Sequence, residues 1–161
     1  MLPSLEILLA LPFAMAAAVV ATRGVSRGQL AWLAAAAPLL GMAILAWLTP
    51  AVLGGQVVGS QHAWLPQIGL AFTLRMDGLA WMFAWLVLAI GALVVMYAHY
   101  YLDAKDSASR FYCYLLLFMG AMLGMVLAGN LLLLVVFWEL TSISSFLLIG
   151  YWSHRKDARD G

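Results

Sequence analysis

Five long apolar stretches constrain what this chain can fold into more than any other feature of the sequence. A helix needs about 20 predominantly apolar residues to cross the hydrocarbon core of a bilayer. Helix is required because an isolated strand in lipid would leave its backbone groups unpaired. The predicted spans cover residues 2–22, 29–48, 78–102, 111–128 and 131–152, and an outer loop over residues 49–77 separates the second span from the third.

The composition excludes a water-soluble domain. Of the 161 residues, 66% are hydrophobic and 9% are charged, whereas soluble domains carry about 25% charged residues. The single cysteine, Cys113, is predicted to be a small buried apolar side chain. The sequence has no Cys and His cluster for a metal or cofactor, and no basic, aromatic-interleaved patch for nucleic acid. We therefore predict an all-α, polytopic transmembrane helix bundle without a metal or cofactor.

The positions of the cations predict the orientation of the spans. Of the eight Lys and Arg residues, only Arg75 lies in the outer loop. The other seven lie in the loops after the first, third and fifth spans: Arg23, Arg27, Lys105, Arg110, Arg155, Lys156 and Arg159. Because cytoplasmic loops are enriched in Lys and Arg, the amino terminus is predicted outside and the carboxyl terminus in the cytoplasm.

The fourth span and the turn after it carry two local signals. Gly120 and Gly124 form a GxxxG pattern, extended by Ala128, which predicts close packing against a neighbouring helix. Gly129 and Asn130 tolerate the left-handed conformation that often ends a helix. They predict a tight antiparallel hairpin of the fourth and fifth spans.

The outer loop divides into two halves. Its first half contains the residues Gly54, Gly55, Gly59 and Ser60 and is predicted as turn. Its second half alternates apolar residues with smaller or polar ones, which predicts a strand or hairpin. Asp77 is placed to cap the third span.

Glu139 is the strongest candidate for a functional residue. It lies about 12 Å along the fifth span at about 1.5 Å per residue, where an ionised carboxylate is costly unless it is paired or neutralised. Intramembrane acids are by default assigned to ion or proton paths. Hydroxyl groups that could line a hydrated path follow it, on Thr141, Ser142, Ser144 and Ser145. The alternative is a structural glutamate, protonated or hydrogen-bonded to Ser142.

Glu139 has no cationic partner within the predicted spans. Lys105 and Lys156 lie in inner loops, and no Arg lies in a span. A buried carboxylate that titrates near neutral pH usually needs a neighbouring charge. The partner is therefore predicted in sequence beyond Gly161 or on another chain.

Two further positions are weaker candidates. His99 lies near the inner end of the third span among three tyrosines and could shuttle protons, although an interfacial position in an aromatic belt is the favoured interpretation. Arg75 and Asp77 could gate entry from outside, although a helix cap with a surface charge is favoured.

Two segments resemble a known family. They are WLPQIGLAFTLRMDGL, from Trp64 to Leu79, and FWELTSISSFLLIGYW, from Phe137 to Trp152. Both are similar to the large A subunit of Mrp-type multisubunit sodium/proton antiporters, which is itself similar to the antiporter-like membrane subunits of respiratory complex I. The second segment is the more specific, and the resemblance covers essentially the whole chain.

The resemblance implies a fold of about fourteen helices with two inverted five-helix repeats, in a bacterial inner (plasma) membrane. It implies that Glu139 corresponds to the family's fifth-helix glutamate, which pairs with a lysine on a later helix and joins a relay of lysines and histidines. None of those later residues occurs in this chain. The chain is therefore predicted to be an amino-terminal part of a longer subunit, or a truncated or split gene product.

The implied function is part of an antiporter subunit that exchanges Na⁺ or K⁺ for protons, and not an enzyme. The implied partners are other antiporter subunits, the remainder of the same subunit beyond residue 161, membrane lipid and the transported ions. Alone, the chain is predicted not to transport. The alternatives are a proton-translocating membrane subunit of complex I or of a membrane hydrogenase, and a non-transporting scaffold that helps a complex to assemble.

Overall fold

Five helices and one β-hairpin form the part of the chain that the structure describes. This computed structural model describes residues 4–22, 24–65, 70–102 and 107–152. The helices are α1 (Ser4–Ala21), α2 (Arg27–Leu53), α3 (Gly78–Tyr101), α4 (Ala108–Leu127) and α5 (Leu131–Ile149), and a 3-10 turn (Gly150–Trp152) follows. All five are long and apolar enough to cross a membrane, which confirms the predicted polytopic helix bundle.

Helix α2 is longer than the predicted span at both ends. It begins at Arg27 because Ser26 and Gln29 form a reciprocal capping box. It continues past Thr49 and Pro50, at which the predicted outer loop begins, and ends at Leu53. The Thr49 hydroxyl donates a hydrogen bond of 2.8 Å to the Leu45 carbonyl. A proline removes only one donor from the helix ladder, so the last turn of α2 survives it.

Helix α4 is the central element of the bundle. It packs against α1 on one side and α5 on another, and it also contacts α3 and α2. Gly120 faces the ring of Phe13 on α1, and Gly124 faces the ring of Phe137 on α5. The predicted close packing of the GxxxG pattern is confirmed, with each glycine accommodating an aromatic ring from a different helix. Cys113 is a free thiol and is only partly buried, less than predicted.

The outer loop folds into an antiparallel hairpin of β1 (Val58–Leu65) and β2 (Leu70–Met76). Val58 pairs with Met76, and Ala63 pairs with Ala71. The strand or hairpin predicted for the second half of the loop is therefore confirmed. The prediction that Gly59 and Ser60 form a turn is wrong, because both lie within β1, where Gly59 pairs with Arg75. Strand pairing overrides their local preference for turns.

The hairpin packs on the turn that joins α4 to α5. The backbone N–H of Gly129 donates a 2.8 Å hydrogen bond to the Thr73 carbonyl, and Ala128 forms an isolated β-bridge with Leu74. This pairing requires extended backbone, so the predicted left-handed helix end at Gly129 and Asn130 is wrong. Asn130 instead has φ −143° and caps α5 by accepting a hydrogen bond from the Leu133 N–H at 2.8 Å.

The hairpin defines one end of the bundle, called here the hairpin end, where α1 and α3 begin and α2 ends. The orientation of this end in the membrane stays a prediction. Five of the cations that predict the orientation lie outside the described residues: Arg23, Lys105, Arg155, Lys156 and Arg159. The rest of the predicted inner loops, over residues 103–106 and 153–161, lies outside them as well.

Candidate functional site

Glu139 lies in the middle of α5, on the side that faces away from α4. The residues of α5 that are buried are Leu133, Phe137 and Ser144, and Phe137 packs against Gly124 of α4. Glu139 follows Phe137 by two positions, which is about 200° around a helix, and its side chain is exposed. The carboxylate therefore projects from the described bundle.

The exposed side of α5 is a continuous apolar surface interrupted by Glu139 and Ser142. We call this surface the open face of α5. Its large apolar members are Leu131, Leu132, Val135, Val136, Trp138, Ile143, Phe146 and Ile149. Within the described ranges, Glu139 makes no ion pair and no hydrogen bond through its side chain. The four other described helices thus leave the carboxylate uncovered and without a counter-ion.

The hydroxyl groups that follow Glu139 bond to the backbone of their own helix. Thr141 and Ser142 both donate to the Trp138 carbonyl, at 2.6 Å and 3.3 Å. Ser144 donates to the Leu140 carbonyl at 2.7 Å. The structural alternative has Glu139 either protonated or hydrogen-bonded to Ser142, and no hydrogen bond between these two side chains is among the described contacts. The hydroxyl oxygens keep their lone pairs as acceptors, so the Ser142 side chain beside Glu139 can still bind a water or a protonated group.

His99 lies in the last turn of α3, at the end of the bundle opposite the hairpin. Its ring is exposed and makes an edge contact with Tyr100, with ring centroids 5.1 Å apart. Tyr97 and Tyr101 stack beside it, and all three tyrosines are exposed. No described hydrogen bond or ion pair links His99 to Glu139. The two candidates lie on different helices and the structure does not bring them together.

Asp77 caps α3 as predicted. Its Oδ1 accepts a hydrogen bond of 2.9 Å from the Ala80 N–H, and its Oδ2 lies 3.4 Å from the Arg75 guanidinium. The hydrogen bond from Ala80 lowers the pKa of Asp77 most strongly; partial desolvation opposes it, and the Arg75 charge lowers it further. Both residues border a shallow cavity of about 270 Å³ beside Phe83 and Val126. The predicted role as an outer gate stays a prediction.

A second acid and a second histidine form a pair that was not predicted from the sequence. Glu6 Oε1, in the first turn of α1, lies 2.9 Å from His62 Nε2 on β1. The two residues are 56 positions apart. Ser60 and His62 are two positions apart and lie on one face of β1, whose first residues were predicted as turn. This spacing of polar residues is compatible with a strand, but nothing in the sequence indicates which helix the strand contacts.

Known proteins resemble this chain over nearly its whole length. The chain is 50% identical over 157 residues to the probable K⁺/H⁺ antiporter A/B subunit of Rhizobium meliloti (strain 1021), a match that covers 98% of this chain. It is also similar to a solved structure, that of the Mrp complex from Dietzia sp. DQ12-45-1b, with a TM-score of 0.71, 32% identity and 90% of this chain covered. The chain belongs to the Mrp antiporter A-subunit family. This chain covers 16% of the Rhizobium meliloti relative and 16% of the Dietzia chain, so it spans about one sixth of the length of these relatives.

Three further comparisons concern a second relative, a family that matches part of the chain, and a structure that shares the fold. The chain is 44% identical over 130 residues to the Na⁺/H⁺ antiporter A1 subunit of Staphylococcus aureus, covering 81% of this chain and 16% of that protein. Residues 64–112 match a family described as NADH-ubiquinone oxidoreductase (complex I), chain 5 N-terminus. An archaeal membrane-bound sulfane sulfur reductase shares the fold, with a TM-score of 0.72 and 23% identity over 91% of this chain and 23% of that chain.

Proposed function

We propose that this chain is part of a subunit that exchanges Na⁺ or K⁺ for protons across a bacterial plasma membrane, and that Glu139 takes up and releases protons during the exchange. The observation that carries the proposal is an acid in the middle of a membrane-crossing helix, on a face that the described helices leave open. The names of the relatives, K⁺/H⁺ antiporter and Na⁺/H⁺ antiporter subunits, support the choice of ions.

The open face of α5 is unsuited to lipid. An ionised carboxylate in hydrocarbon is costly, and residues of this type within spans face a bundle interior or a water-filled cavity. The apolar residues around Glu139 could contact either lipid or protein, so it is the carboxylate that argues against a lipid-covered face. The proposal therefore places further protein against the open face, either from the same subunit or from a partner subunit. The relatives, about six times longer than this chain, have enough further sequence to supply it.

A basic side chain on that covering protein would complete a proton-exchange site. Its positive charge would stabilise the ionised carboxylate of Glu139, and its withdrawal would favour the protonated form. Glu139 would then take up a proton when the basic side chain withdraws and release the proton when that side chain returns. The Ser142 hydroxyl, on the same face of α5, would accept or relay a hydrogen bond from water in the path. The described residues alone contain no such pathway, so the proposal assigns no transport to them in isolation.

A redox-driven proton pump is the second candidate. It is favoured by the match of residues 64–112 to a complex I family. Glu139 would serve the same proton exchange in that case, but the driving force would come from electron transfer in other subunits. Exchange that is driven by a Na⁺ or K⁺ gradient, in the absence of any electron donor, would support the antiporter and contradict the pump.

The test is Glu139→Gln in the full-length subunit, expressed with all of its partner subunits. Gln keeps the size and the polarity of the side chain but cannot exchange a proton. We expect the initial rate of Na⁺- or K⁺-driven proton movement in inverted membrane vesicles to fall by about 100-fold, which is within the range for the loss of a positioned proton-transfer group. Assembly, measured by native gel electrophoresis, should be unchanged. Glu139→Asp should restore a measurable part of the rate.

The matched control is Glu6→Gln, the same chemical change at the hairpin end of α1. Glu6 is already paired with His62 and has no place in the proposed exchange site. Its variant should keep the exchange rate within about twofold, because the loss of one partly exposed ion pair is a small perturbation. An undiminished rate in Glu139→Gln, with the complex assembled, would return Glu139 to a structural role.

A further inference from the structure

The shallow cavity of about 270 Å³ lies at the hairpin end, where α3 begins and α4 ends. Its apolar lining includes Leu79 and Phe83 from α3 and Val126 from α4. Arg75 and Asp77 border the cavity, and their side chains are 58% and 39% exposed. The cavity therefore combines apolar walls with a pair of opposite charges that solvent or a ligand can reach.

The charged pair lies at the depth of the lipid headgroups. Asp77 caps α3, and residues 78–96 of this helix carry no polar group apart from the indole N–H groups of two tryptophans. These residues span about 28 Å at about 1.5 Å per residue, close to the thickness of the hydrocarbon core, about 30 Å. Tyr97 and Tyr100 follow at the far end, as in an aromatic belt. Arg75 and Asp77 therefore mark one membrane interface and the tyrosines mark the other.

The two sides of α3 differ in the size of their residues. The buried side is rich in small residues, with Ala84, Leu88, Gly91, Val95 and Ala98. The opposite side has a row of large exposed residues at helical spacing, called here the exposed stripe of α3: Leu79, Phe83, Leu86, Ile90, Leu93 and Tyr97. Small residues are enriched where transmembrane helices pack together, and the exposed stripe has none. It also lacks an acid such as Glu139 of α5, so its composition is that of a lipid-covered surface.

We propose that this cavity binds one phosphatidylethanolamine molecule, with its phosphate at Arg75, its ammonium group at Asp77 and an acyl chain along the exposed stripe of α3. A guanidinium has several N–H donors and binds phosphate oxygens in a bidentate manner. The Asp77 carboxylate accepts from the Ala80 N–H through Oδ1, and its oxygens have further lone pairs for the ammonium group. An acyl chain that leaves the cavity meets Leu79 and Phe83, which belong to both the cavity and the stripe.

The arrangement of charges favours this headgroup over two others. Arg75 and Asp77 lie 3.4 Å apart and together carry no net charge, so they match a headgroup that also has one charge of each sign. An anionic headgroup would satisfy Arg75 but would offer no positive charge to Asp77. A choline headgroup has a positive charge, but its methylated nitrogen has no N–H to donate. Since hydrogen bonds between charged groups are the stronger ones, the ethanolamine headgroup is the one that satisfies both side chains.

The test is photo-crosslinking of lipid to the full-length subunit, assembled with all of its partner subunits in phosphatidylcholine nanodiscs. A phosphatidylethanolamine probe with a diazirine near the headgroup end of its acyl chain is added and irradiated, and peptide-resolved mass spectrometry measures the labelling. Two segments of the exposed stripe are compared: residues 79–83, beside the cavity, and residues 93–97, near the opposite interface. Both described ion pairs lie at the hairpin end, so the second segment is the internal control. Phosphatidylcholine and phosphatidylglycerol probes with the same diazirine are measured in the same way.

In the wild type, the ethanolamine probe should label residues 79–83 about two to five times more than the choline probe, the effect expected for one partly exposed ionic contact. The two probes should label residues 93–97 equally. Asp77→Asn keeps an oxygen for the Ala80 N–H and should bring the ratio at residues 79–83 to about 1. Arg75→Gln should lower the labelling of that segment by both probes, because both carry a phosphate. Arg110→Gln, the same change at an exposed position in the first turn of α4, should alter neither result.

Three outcomes in the wild type would each overturn the proposal. Equal labelling of residues 79–83 by the ethanolamine and choline probes would mean that only bulk lipid covers the cavity. Stronger labelling there by phosphatidylglycerol than by phosphatidylethanolamine would mean that the site selects anionic lipid. Labelling of residues 93–97 without any labelling of residues 79–83 would mean that another protein segment covers the cavity.

Discussion

Helices α4 and α5 are neighbours in sequence and in space, and they differ in what surrounds them. They contain 20 and 19 residues and are joined by a very short turn. Half of the residues in the most apolar window of α4 are buried, against 17% for α5. Both are apolar enough to cross a membrane, so hydropathy alone does not distinguish the centre of the bundle from its edge.

The polar and small residues of the two helices mark this difference. Helix α4 carries Gly120 and Gly124, which receive aromatic rings from α1 and α5, and its neighbours lie within the described part of the chain. Helix α5 carries Glu139 and Ser142 on a face that no described residue covers. In α4 the small residues mark contacts that the described helices make, whereas in α5 the isolated acid marks the face on which the proposed function places further protein.

The largest stability effect that this comparison predicts is for Gly124→Leu. A Cβ at this position would overlap the ring of Phe137, so α4 and α5 would have to separate. Overpacking of a well-packed core costs about 1–3 kcal/mol, and we expect the upper end of that range in the free energy of unfolding, measured by denaturant titration in detergent micelles. The matched change on the open face is Ile143→Ala, which should cost less than about 0.5 kcal/mol. Equal costs for the two variants would contradict the assignment of a packed and an open face.

The turn between the two helices gives the next effect. Asn130 caps α5 through its side-chain oxygen and anchors β2 through its amide. Asn130→Ala removes both contacts and should lower the free energy of unfolding by about 1–2 kcal/mol. Asn130→Asp keeps the acceptor for Leu133 but loses the donor to Ala71, so it should recover the cap alone. If Asn130→Asp is as unstable as Asn130→Ala, the hydrogen bond from Asn130 to Ala71 of β2 contributes more to stability than the cap of α5.

The sequence was sufficient for the elements that depend on local or compositional signals. The five spans follow from helix length and apolarity, and the α3 cap at Asp77 follows from its position before Gly78. The position of Glu139 inside a helix follows from the apolar run around it, and its proton exchange stays a proposal. The resemblance to the Mrp A-subunit family rests on the two segments around Asp77 and Glu139, and the 50% identity over 157 residues confirms it. These features need no knowledge of which helices touch.

The remaining features depend on contacts between distant parts of the chain. Gly129 and Asn130 favour a left-handed turn locally, but pairing with β2, which lies more than 50 residues earlier, imposes extended backbone. The pairing of Glu6 with His62 spans 56 residues. The face of α5 that stays open could not be read from the sequence, because large apolar residues surround most of its circumference and give no preferred side.

The smallest effect is the pH dependence of the α3 cap, which lies beside the α4–α5 turn. The folded-state pKa of Asp77 is below the ordinary value of 3.8. The ionised form therefore stabilises the fold above that value, and this contribution is lost as the pH falls through the folded pKa. Asp77→Asn keeps an oxygen for the Ala80 N–H but loses the charge. The melting temperature of the wild type should exceed that of Asp77→Asn near neutral pH.

The same comparison in acid is the control. The two melting temperatures should converge once the pH is below the folded pKa of Asp77. A difference that persists unchanged in acid would mean that the carboxylate charge contributes nothing to the cap and that Asn fits the site less well for another reason.

The most direct measurement of the central claim is infrared difference spectroscopy of the complete transporter complex, which detects the C=O band of a protonated carboxyl group. The spectrum is recorded before and after addition of Na⁺ or K⁺ at constant pH. Wild-type protein and Glu6→Gln should lose or gain intensity in this band when the cation is added, and Glu139→Gln should lack that change. The same band change in Glu139→Gln as in the wild type would contradict the assignment of Glu139 as the proton-exchanging group.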